Sequence, residues 1–190
     1  MHFEVPHGFT GDAADFPASP HACPGARSPV REAARLSRLH AMGIMDSPPS
    51  AAFDAIASAA AAVANTPAAM VSLLDEHRQW FMARSGIDTV ETPRAISFCT
   101  HTIEGCEPFI VEDAQHDARF ADNPLVTAAP YVRFYAGFPL DVGAGLRVGT
   151  LCVIDNRPRK LTAAQIDSLL ELAHTTVQWL LALAPRGGPR

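Results

Sequence analysis

The segment ISFCTHTIEGCE, residues 96–107, places two cysteines and a histidine within a few positions of each other. Thiolate and imidazole groups at such spacing could ligate a metal, supply an activated thiol or line a ligand pocket. They could equally be buried as ordinary core residues. The geometry of the element that carries Cys99, His101 and Cys106 decides between these alternatives.

Gly105 fits the C-terminal stop of a short helix, so this segment is predicted to be helical. Successive helical residues rotate by about 100°, which points Cys99 and His101 about 200° apart. Side chains so placed cannot bind one metal ion, and a zinc site would need further ligands at short spacing. Cys99 shares a helix face with Ile96 and Ile103. We therefore expect Cys99 to point inward, either as a core residue or as a pocket wall, whereas nothing fixes the direction of Cys106.

The strand-like segment RFYAGFPL separates a core face from a candidate binding face. Arg133 and Tyr135 lie on one face, in front of Gly137, where the missing side chain permits close approach of a ligand or of backbone. These two side chains could hold an anionic molecule, or Arg133 could pair with an acid. The acids nearby in sequence are Asp113, Asp117 and Asp122. The opposite face is predicted to be core and contains Phe134, Ala136, Phe138 and Leu140.

The preceding segment, residues 112–126, is rich in Asp, Asn and Pro and is predicted to form turns and helix caps. Asp117 and Arg119 are expected to bond to each other and to backbone. Phe120 and Leu125 are expected to anchor the segment in the core.

The composition of the chain excludes some classes of protein. The chain has 190 residues, of which 48% are hydrophobic, enough for one sizeable core. Its net charge of -5 argues against a nucleic-acid-binding protein. No apolar run approaches the roughly 20 residues that span a bilayer, and the N-terminus does not resemble a secretory signal. Four scattered cysteines in such a chain are expected to be reduced, and a cytoplasmic location is predicted.

The chain is predicted to contain one folded domain, residues 29–184, between flexible tails at 1–28 and 185–190. Helices are expected near both ends of the domain. The first follows Ser28 and Pro29, and the last begins with a capping box formed by Thr162 and Gln165. Strand-like runs fill the middle, so the fold class is predicted to be α+β, with a central antiparallel sheet and helices on its faces. The last helix is apolar around more than half its circumference and is expected to need a second partner.

Several phrases of the chain resemble a bacterial GAF domain in the family's order. They are the run from AFDAIASAAAAVANTP to ISFCTHTI, then FIVEDAQHDARFADNPLV, VRFYAGFPL and VGTLCVIDNRPRKLT. The subgroup is the one found ahead of histidine kinase and diguanylate cyclase modules. The resemblance covers residues 30–184 and implies a bundle of N- and C-terminal helices that often forms a dimer interface.

The resemblance also implies a ligand pocket between the sheet and the segment that joins the third and fourth strands of the family fold. In this chain that segment precedes the strand VRFYAGFPL. Trp80 could be a stacking surface there or could pack in the core. We expect a stand-alone sensory domain without catalytic activity, which binds a small molecule or a partner protein in signal transduction. The expected partners are a second copy of the chain and a separate output protein, because the chain ends soon after the last helix. The candidate ligand-binding residues are Trp80, Phe98, Cys99, His101, Asp113, Phe120, Arg133 and Tyr135.

A few members of the family are enzymes, and the alternative function is a thiol-dependent reductase of a small oxidised metabolite. The free methionine-R-sulfoxide reductases have a cysteine that Cys99 could match. Their reactive thiol, however, lies in the loop before the fourth strand, where this chain reads TAAPYVRFYAG without cysteine. Cys99 is followed by Thr100 rather than the His common at bilin attachment sites, and His101 is a conceivable haem ligand. No cofactor can be assigned.

Overall fold

The computed structural model describes Cys23 and residues 28–184. The predicted tails therefore lie outside the described residues except for Cys23 and Ser28. The predicted α+β class is confirmed, with a six-stranded antiparallel sheet and helices packed on it. The helices are α1 (Pro29–Ala41), α2 (Ala51–Ala64), α3 (Phe98–Glu104), α4 (Pro124–Thr127) and α5 (Ala163–Leu183). The strands are β1 (Ala68–Leu74), β2 (Arg78–Ser85), β3 (Glu91–Pro93), β4 (Phe109–Val111), β5 (Phe134–Asp141) and β6 (Arg147–Asp155).

The strand order in the sheet is β3-β2-β1-β6-β5-β4. β1 and β2 form a hairpin, as do β5 and β6. β1 also pairs with β6, which joins the two hairpins into one sheet. The edge strand β3 was not predicted, because three residues are too few to show an alternating pattern.

The two faces of the sheet carry different layers. One face packs against α2 and α5, and its core includes Phe53, Leu151 and Leu169. The other face packs against α3, around Met70 and Phe98. Strand alternation sorts the side chains between these layers. In β5 the predicted core face is confirmed, since Phe134, Ala136, Phe138 and Leu140 all lie on the α2–α5 side.

The helix ends follow local chemistry. The capping box at α5 is confirmed, because the Thr162 hydroxyl accepts from the backbone of Gln165 and the Gln165 side chain accepts from the backbone of Thr162. Pro29 occupies the first turn of α1, but Ser28 makes no side-chain capping bond. α2 ends at Asn65, which adopts the left-handed conformation typical of helix C-caps.

Helix α5 leaves apolar side chains exposed near its C-terminal end. Trp179 is 39% exposed, although its ring packs edge-on against Phe53 at 5.8 Å. Leu183 is 55% exposed, and Val30 of α1 is 80% exposed. The apolar surface that the sequence predicted around more than half of this helix is thus only partly buried by the rest of the domain. Within residues 28–184, no helix is long and apolar enough to span a membrane.

The expectation of four reduced cysteines is wrong for one pair. Cys23 and Cys106 form a disulfide with a Cα–Cα distance of 5.8 Å, whereas Cys99 and Cys152 are free and buried. The backbone N–H of Cys23 donates to the carbonyl of Glu104 at 2.8 Å, which holds this residue beside the end of α3. The pairing joins residues 83 positions apart. Such a contact depends on tertiary structure and leaves no local signal in the sequence.

Candidate functional site

A cavity lies between the α3 face of the sheet and the segment that leads into β5. It measures about 50 Å³. Since one buried water needs roughly 10–15 Å³ of such space, the cavity accommodates a few water-sized groups. The lining residues come from five strands, the start of α3 and the loops around it: Met70, Gln79, Phe81, Ile87, Thr89, Thr92, Ser97, Phe98, Cys99, Leu125, Pro130, Val132, Tyr135 and Ile154.

The first turn of α3 is fixed at the cavity by Ser97. Its hydroxyl oxygen accepts from the backbone N–H of Cys99 at 3.1 Å, as an N-cap does. The same hydroxyl donates to the side-chain carbonyl of Gln79 on β2. Asn123 anchors the other side by donating to the carbonyl of Ile96 at 3.0 Å. These bonds hold the Cys99 side chain against the sheet.

Cys99 Sγ lies in a buried cluster of hydroxyl groups and a second thiol. Tyr135 Oη lies 3.2 Å from this sulfur, Thr150 Oγ1 3.1 Å and Ser72 Oγ 3.4 Å. Ser72 Oγ also lies 2.9 Å from Thr150 Oγ1. Each hydroxyl has one proton to donate, so Thr150 and Tyr135 can donate to the sulfur while Ser72 donates either to the sulfur or to Thr150. Cys152 Sγ completes the cluster at 3.7 Å from Cys99 Sγ.

This environment separates the pKa values of the two thiols. Burial by itself would raise the pKa of Cys99, but hydrogen bonds from the Cys152 thiol and the three hydroxyls outweigh it. They lower the Cys99 pKa from 9.0 to about 6. The pKa of Cys152 is raised by its hydrogen bond to Cys99, by burial and by the negative charge of Cys99. Burial and the same charge raise the pKa of Tyr135. Cys99 is therefore the thiol of the pair that ionises first.

Gly137 provides the space for the Tyr135 side chain, which runs along β5 above it. A Cβ atom at position 137 would lie 2.1 Å from Tyr135 Oη and 2.5 Å from Thr102 Oγ1. These two oxygens are hydrogen-bonded to each other at 2.7 Å. The close approach expected at this glycine is thus made by side chains of the chain itself.

Three of the eight candidate ligand-binding residues line the cavity, namely Phe98, Cys99 and Tyr135. Two more form a layer behind it. Phe120 stacks on Phe98 with ring centroids 4.1 Å apart, and His101 packs edge-on against Phe120 at 4.9 Å. Cys99 and His101 lie on different sides of α3, in agreement with the helical geometry. The binding roles of these residues stay predictions.

Asp113 and Arg133 lie outside the cavity lining and pair with each other. Arg133 donates two hydrogen bonds to the carboxylate, at 2.6 and 2.7 Å. The Arg133 guanidinium holds the pKa of Asp113 well below its ordinary value, against a smaller opposing effect of burial and with help from His116. Of the two alternatives for Arg133, the structure contains the ion pair. Asp117 and Arg119 likewise bond to each other, as expected.

Trp80 points to the other face of the sheet and packs in the α2–α5 core. It borders a polar cleft of about 430 Å³ that also contains Arg84 and Asp88. Its neighbour Phe81 lines both this cleft and the cavity. Sequence reasoning assigned the correct strand here but selected the residue on the opposite face.

Sequence reasoning missed Ser72, Thr150 and Cys152. Thr150, Cys152 and Ile154 share one face of β6 by simple alternation, so a pattern did exist. Nothing in it indicated that this face meets α3. Among the described residues, no group of three or more His, Cys, Asp or Glu side chains is arranged to hold a metal ion.

Comparison with known proteins is consistent with this geometry. A sequence model of the GAF domain family matches residues 48–178. A cyclic di-GMP phosphodiesterase of Pseudomonas aeruginosa is 43% identical over 143 residues, which is 75% of this chain and 24% of that protein. The chain thus spans about a quarter of the length of this relative.

Solved structures share the fold at low sequence identity. The GAF domain of an Acinetobacter phosphoenolpyruvate-protein phosphotransferase superimposes with a TM-score of 0.58 at 18% identity, over 84% of this chain and 98% of that one. A free methionine-R-sulfoxide reductase from Neisseria meningitidis, in complex with its substrate, gives a TM-score of 0.57 at 14% identity, over 78% and 87%. At such identities the likeness concerns the fold alone.

Proposed function

Because the chain belongs to the GAF domain family, we propose that it is a sensory domain that binds a small, largely uncharged molecule in the cavity beside Cys99. In this proposal the domain catalyses no reaction, and the bound molecule changes how α3 and the neighbouring segment pack. The observation that carries the proposal is the cavity itself. It lies between the sheet and the segment before β5, where the family resemblance led us to expect a pocket.

The chemistry of the lining supports a neutral ligand. Apolar side chains such as Met70, Phe81 and Ile87 form most of the wall. Hydrogen-bonding groups are few and include Thr92 and Gln79. Apart from Cys99, whose lowered pKa favours a negatively charged thiolate, no charged side chain is among the lining residues in the described part of the chain. An anionic ligand would have to be desolvated here without a cationic partner, which is costly.

The size of the cavity limits what fits without rearrangement. About 50 Å³ suits a molecule of a few heavy atoms. A larger ligand would require Leu125, Pro130 and Val132 to move outward, since these residues come from the connecting segment rather than from the sheet. That movement would carry a signal from the cavity to the surface.

A fragment screen by two-dimensional amide NMR tests the proposal with small neutral compounds as probes. We expect the shift changes of binders to cluster at Thr92, Cys99 and Tyr135. The variant Val132→Phe, which adds a ring to the wall, should abolish those changes. Val90→Phe is the matched control, because Val90 is half-exposed and lies outside the cavity lining. Val90 borders the Trp80 cleft, so a compound whose binding this variant weakens binds in that cleft instead. Binders that map to the Trp80 cleft, or that bind Val132→Phe equally well, would contradict the proposal.

We further propose that the terminal helices form a homodimer interface or contact a separate output protein. The exposed apolar side chains of Trp179, Leu183 and Val30 support this, because burying them would remove apolar surface from water. Light scattering of the wild-type chain should give the mass of two chains, and Leu183→Glu should give that of one. Gln178→Glu, also exposed on α5, adds the same charge and should leave the mass unchanged. A single-chain mass at all concentrations would refute the dimer.

The similarity to the phosphodiesterase of Pseudomonas aeruginosa supports a place in signal transduction, although its activity is not carried over from a match to 24% of its length. A cytoplasmic location also stays a proposal, and the Cys23–Cys106 disulfide counts against it because cytosolic thiols are generally kept reduced. The redox state of these two cysteines in intact cells tests it: an intact disulfide there would contradict the cytoplasmic location.

A thiol-dependent reductase is the second candidate function, favoured by the presence of Cys99 with a lowered pKa in the cavity wall. The residues before β5 still lack the cysteine that the reductase family uses for attack. Purified protein assayed with free methionine sulfoxide and dithiothreitol decides this point. Turnover that is lost in Cys99→Ser would establish the enzyme, and absence of turnover would exclude this substrate.

A further inference from the structure

The buried pair Cys99 and Cys152 is not needed for binding a neutral ligand. The two sulfur atoms nevertheless lie close together, and hydroxyl groups surround Cys99 Sγ. Both thiols are inaccessible from the protein surface, at 2% and 0% exposure. Cys99 nevertheless borders the cavity, which admits water-sized molecules. Hydrogen peroxide is of that size, whereas glutathione and aromatic disulfides are much larger.

We propose that Cys99 and Cys152 form a peroxide-reactive thiol pair, in which Cys99 is oxidised first and Cys152 then closes an internal disulfide. The geometry that carries the proposal is the 3.7 Å separation of the two sulfur atoms, together with the hydroxyl groups of Tyr135 and Thr150 directed at Cys99 Sγ. This reactivity is separate from ligand binding and from reduction of a sulfoxide.

In the first step the Cys99 thiolate attacks one oxygen of hydrogen peroxide. The O–O bond breaks, the departing hydroxide takes up a proton and leaves as water, and Cys99 becomes a sulfenic acid. The hydroxyls of Tyr135 and Thr150 stabilise the thiolate before attack, because hydrogen bonds to a charged acceptor are strong. The causes that lower the pKa of Cys99 are hydrogen bonds from members of the cluster, so the cluster favours the thiolate.

In the second step Cys152 loses its proton and its sulfur attacks Cys99 Sγ. The S–S bond forms, the S–O bond breaks, and hydroxide leaves with the proton as a second water. The two thiols are oxidised by two electrons in total, and one peroxide is reduced to two waters. The order of the steps follows from the cluster. The Cys99 charge is one cause of the raised pKa of Cys152, and this charge disappears when Cys99 becomes a sulfenic acid.

Closure requires a local movement. The sulfur atoms must approach from 3.7 Å to about 2.05 Å. Cys152 is held in β6, which pairs with strands on both sides. We therefore expect the first turn of α3 to move toward the sheet and Cys99 Sγ to lose its hydrogen bonds to Tyr135 and Thr150.

The experiment uses the full chain with Cys23→Ser and Cys106→Ser, so that only the buried pair can react. Reduced protein is treated with hydrogen peroxide, alkylated under denaturing conditions and mapped by mass spectrometry. We expect a linked peptide that joins Cys99 to Cys152. In Cys152→Ser the sulfenic acid at Cys99 should be trapped by dimedone, and in Cys99→Ser the Cys152 thiol should stay reduced. Circular dichroism confirms that each variant is folded.

Two further measurements test whether the cluster activates the Cys99 thiol or whether the two sulfur atoms are simply close together. The pH profile of Cys99 oxidation should have its midpoint below the ordinary pKa of a thiol and shift to higher pH in Thr150→Val, which keeps the side-chain shape but removes the hydroxyl. A bulky aromatic disulfide should react with the folded protein at least about tenfold more slowly than with the unfolded chain, since access limits exchange.

The proposal is overturned if both thiols remain reduced at peroxide doses that oxidise glutathione in the same tube. It is also overturned if Cys152 in the Cys99→Ser variant reacts as fast as Cys99 in the Cys152→Ser variant. Neither result depends on whether the cavity binds a ligand, so the sensory proposal would stand or fall separately.

Discussion

Replacing Gly137 by alanine tests the packing on which the candidate site depends. A Cβ at this position would lie 2.1 Å from Tyr135 Oη, 2.5 Å from Thr102 Oγ1 and 2.7 Å from Tyr135 Cζ. The Tyr135 side chain cannot easily withdraw, because it is 1% exposed and its ring stacks on Phe98 with centroids 5.1 Å apart. The substitution should therefore displace the ring and break the Tyr135–Thr102 hydrogen bond.

The expected loss of stability has two parts. Leaving a buried hydroxyl without its partner costs about 1–3 kcal/mol, and overpacking a close-packed core costs about 1–3 kcal/mol more. The combined loss is about 2–6 kcal/mol, and its middle value of about 4 kcal/mol would lower the melting temperature by roughly 10 °C for a chain of this length. Differential scanning calorimetry measures this shift. The pH dependence of Cys99 alkylation by a small reagent provides a second readout, which should move to higher pH because Tyr135 no longer donates to the sulfur.

Gly143→Ala is the matched control, since a Cβ at Gly143 meets nothing within 4 Å. Its φ of +108° makes alanine strained there, at a cost of about 1–2 kcal/mol, but Cys99 reactivity should stay unchanged. If Gly137→Ala melts no lower than Gly143→Ala and leaves the pH dependence of Cys99 alkylation unchanged, the reasoning about Gly137 is wrong.

Further predictions concern two links that hold the N-terminal part of the chain. Burial opposes ionisation of Glu32, but hydrogen bonds from Arg35 and Arg94 outweigh it and lower its pKa from 4.5 to about 2. The stabilisation is therefore fully present above pH 4.5 and is lost as the pH falls toward 2. Glu32→Gln should be less stable at pH 7 by about 1–2 kcal/mol, a discounted figure because a third of the side chain is exposed. Urea unfolding should show the difference vanish near pH 2, and a constant difference would contradict the assignment. Removal of the Cys23–Cys106 disulfide by Cys23→Ser should cost about 2–4 kcal/mol, because the bond closes a long loop in the unfolded chain. Dithiothreitol should lower the melting temperature of wild type but not of the variant, and four free thiols in the unreduced wild type would refute the bond.

Strand alternation in β5 illustrates what periodicity can predict. It separated Phe134 and Phe138 from Tyr135 correctly, because side chains on a strand must alternate between faces. The same rule did not indicate which face of β2 meets the cavity, so Trp80 was selected where Phe81 is the lining residue. Alternation defines two sets of side chains but does not say which set faces which layer.

Arg133 shows a different limit. Its charge and its position beside Tyr135 were compatible with either an anion site or an ion pair, and only the position of Asp113 in space decides between them. The Cys23–Cys106 bond is a stronger case, since the two residues are far apart in sequence and the expectation of reduced thiols was wrong for them.

The sequence by itself determined most of the elements, although not the edge strand β3. It also determined the antiparallel α+β class, the family and the inward direction of Cys99, because these follow from local periodicity and from phrases in a fixed order. Only the tertiary structure decided what Cys99 meets. Ser72 on β1, Thr150 and Cys152 on β6, and Tyr135 on β5 come together at its sulfur through the pairing of three strands. The pKa of a buried thiol depends on such partners. The ISFCTHTIEGCE segment therefore supplied the thiol, and the fold supplied its chemistry.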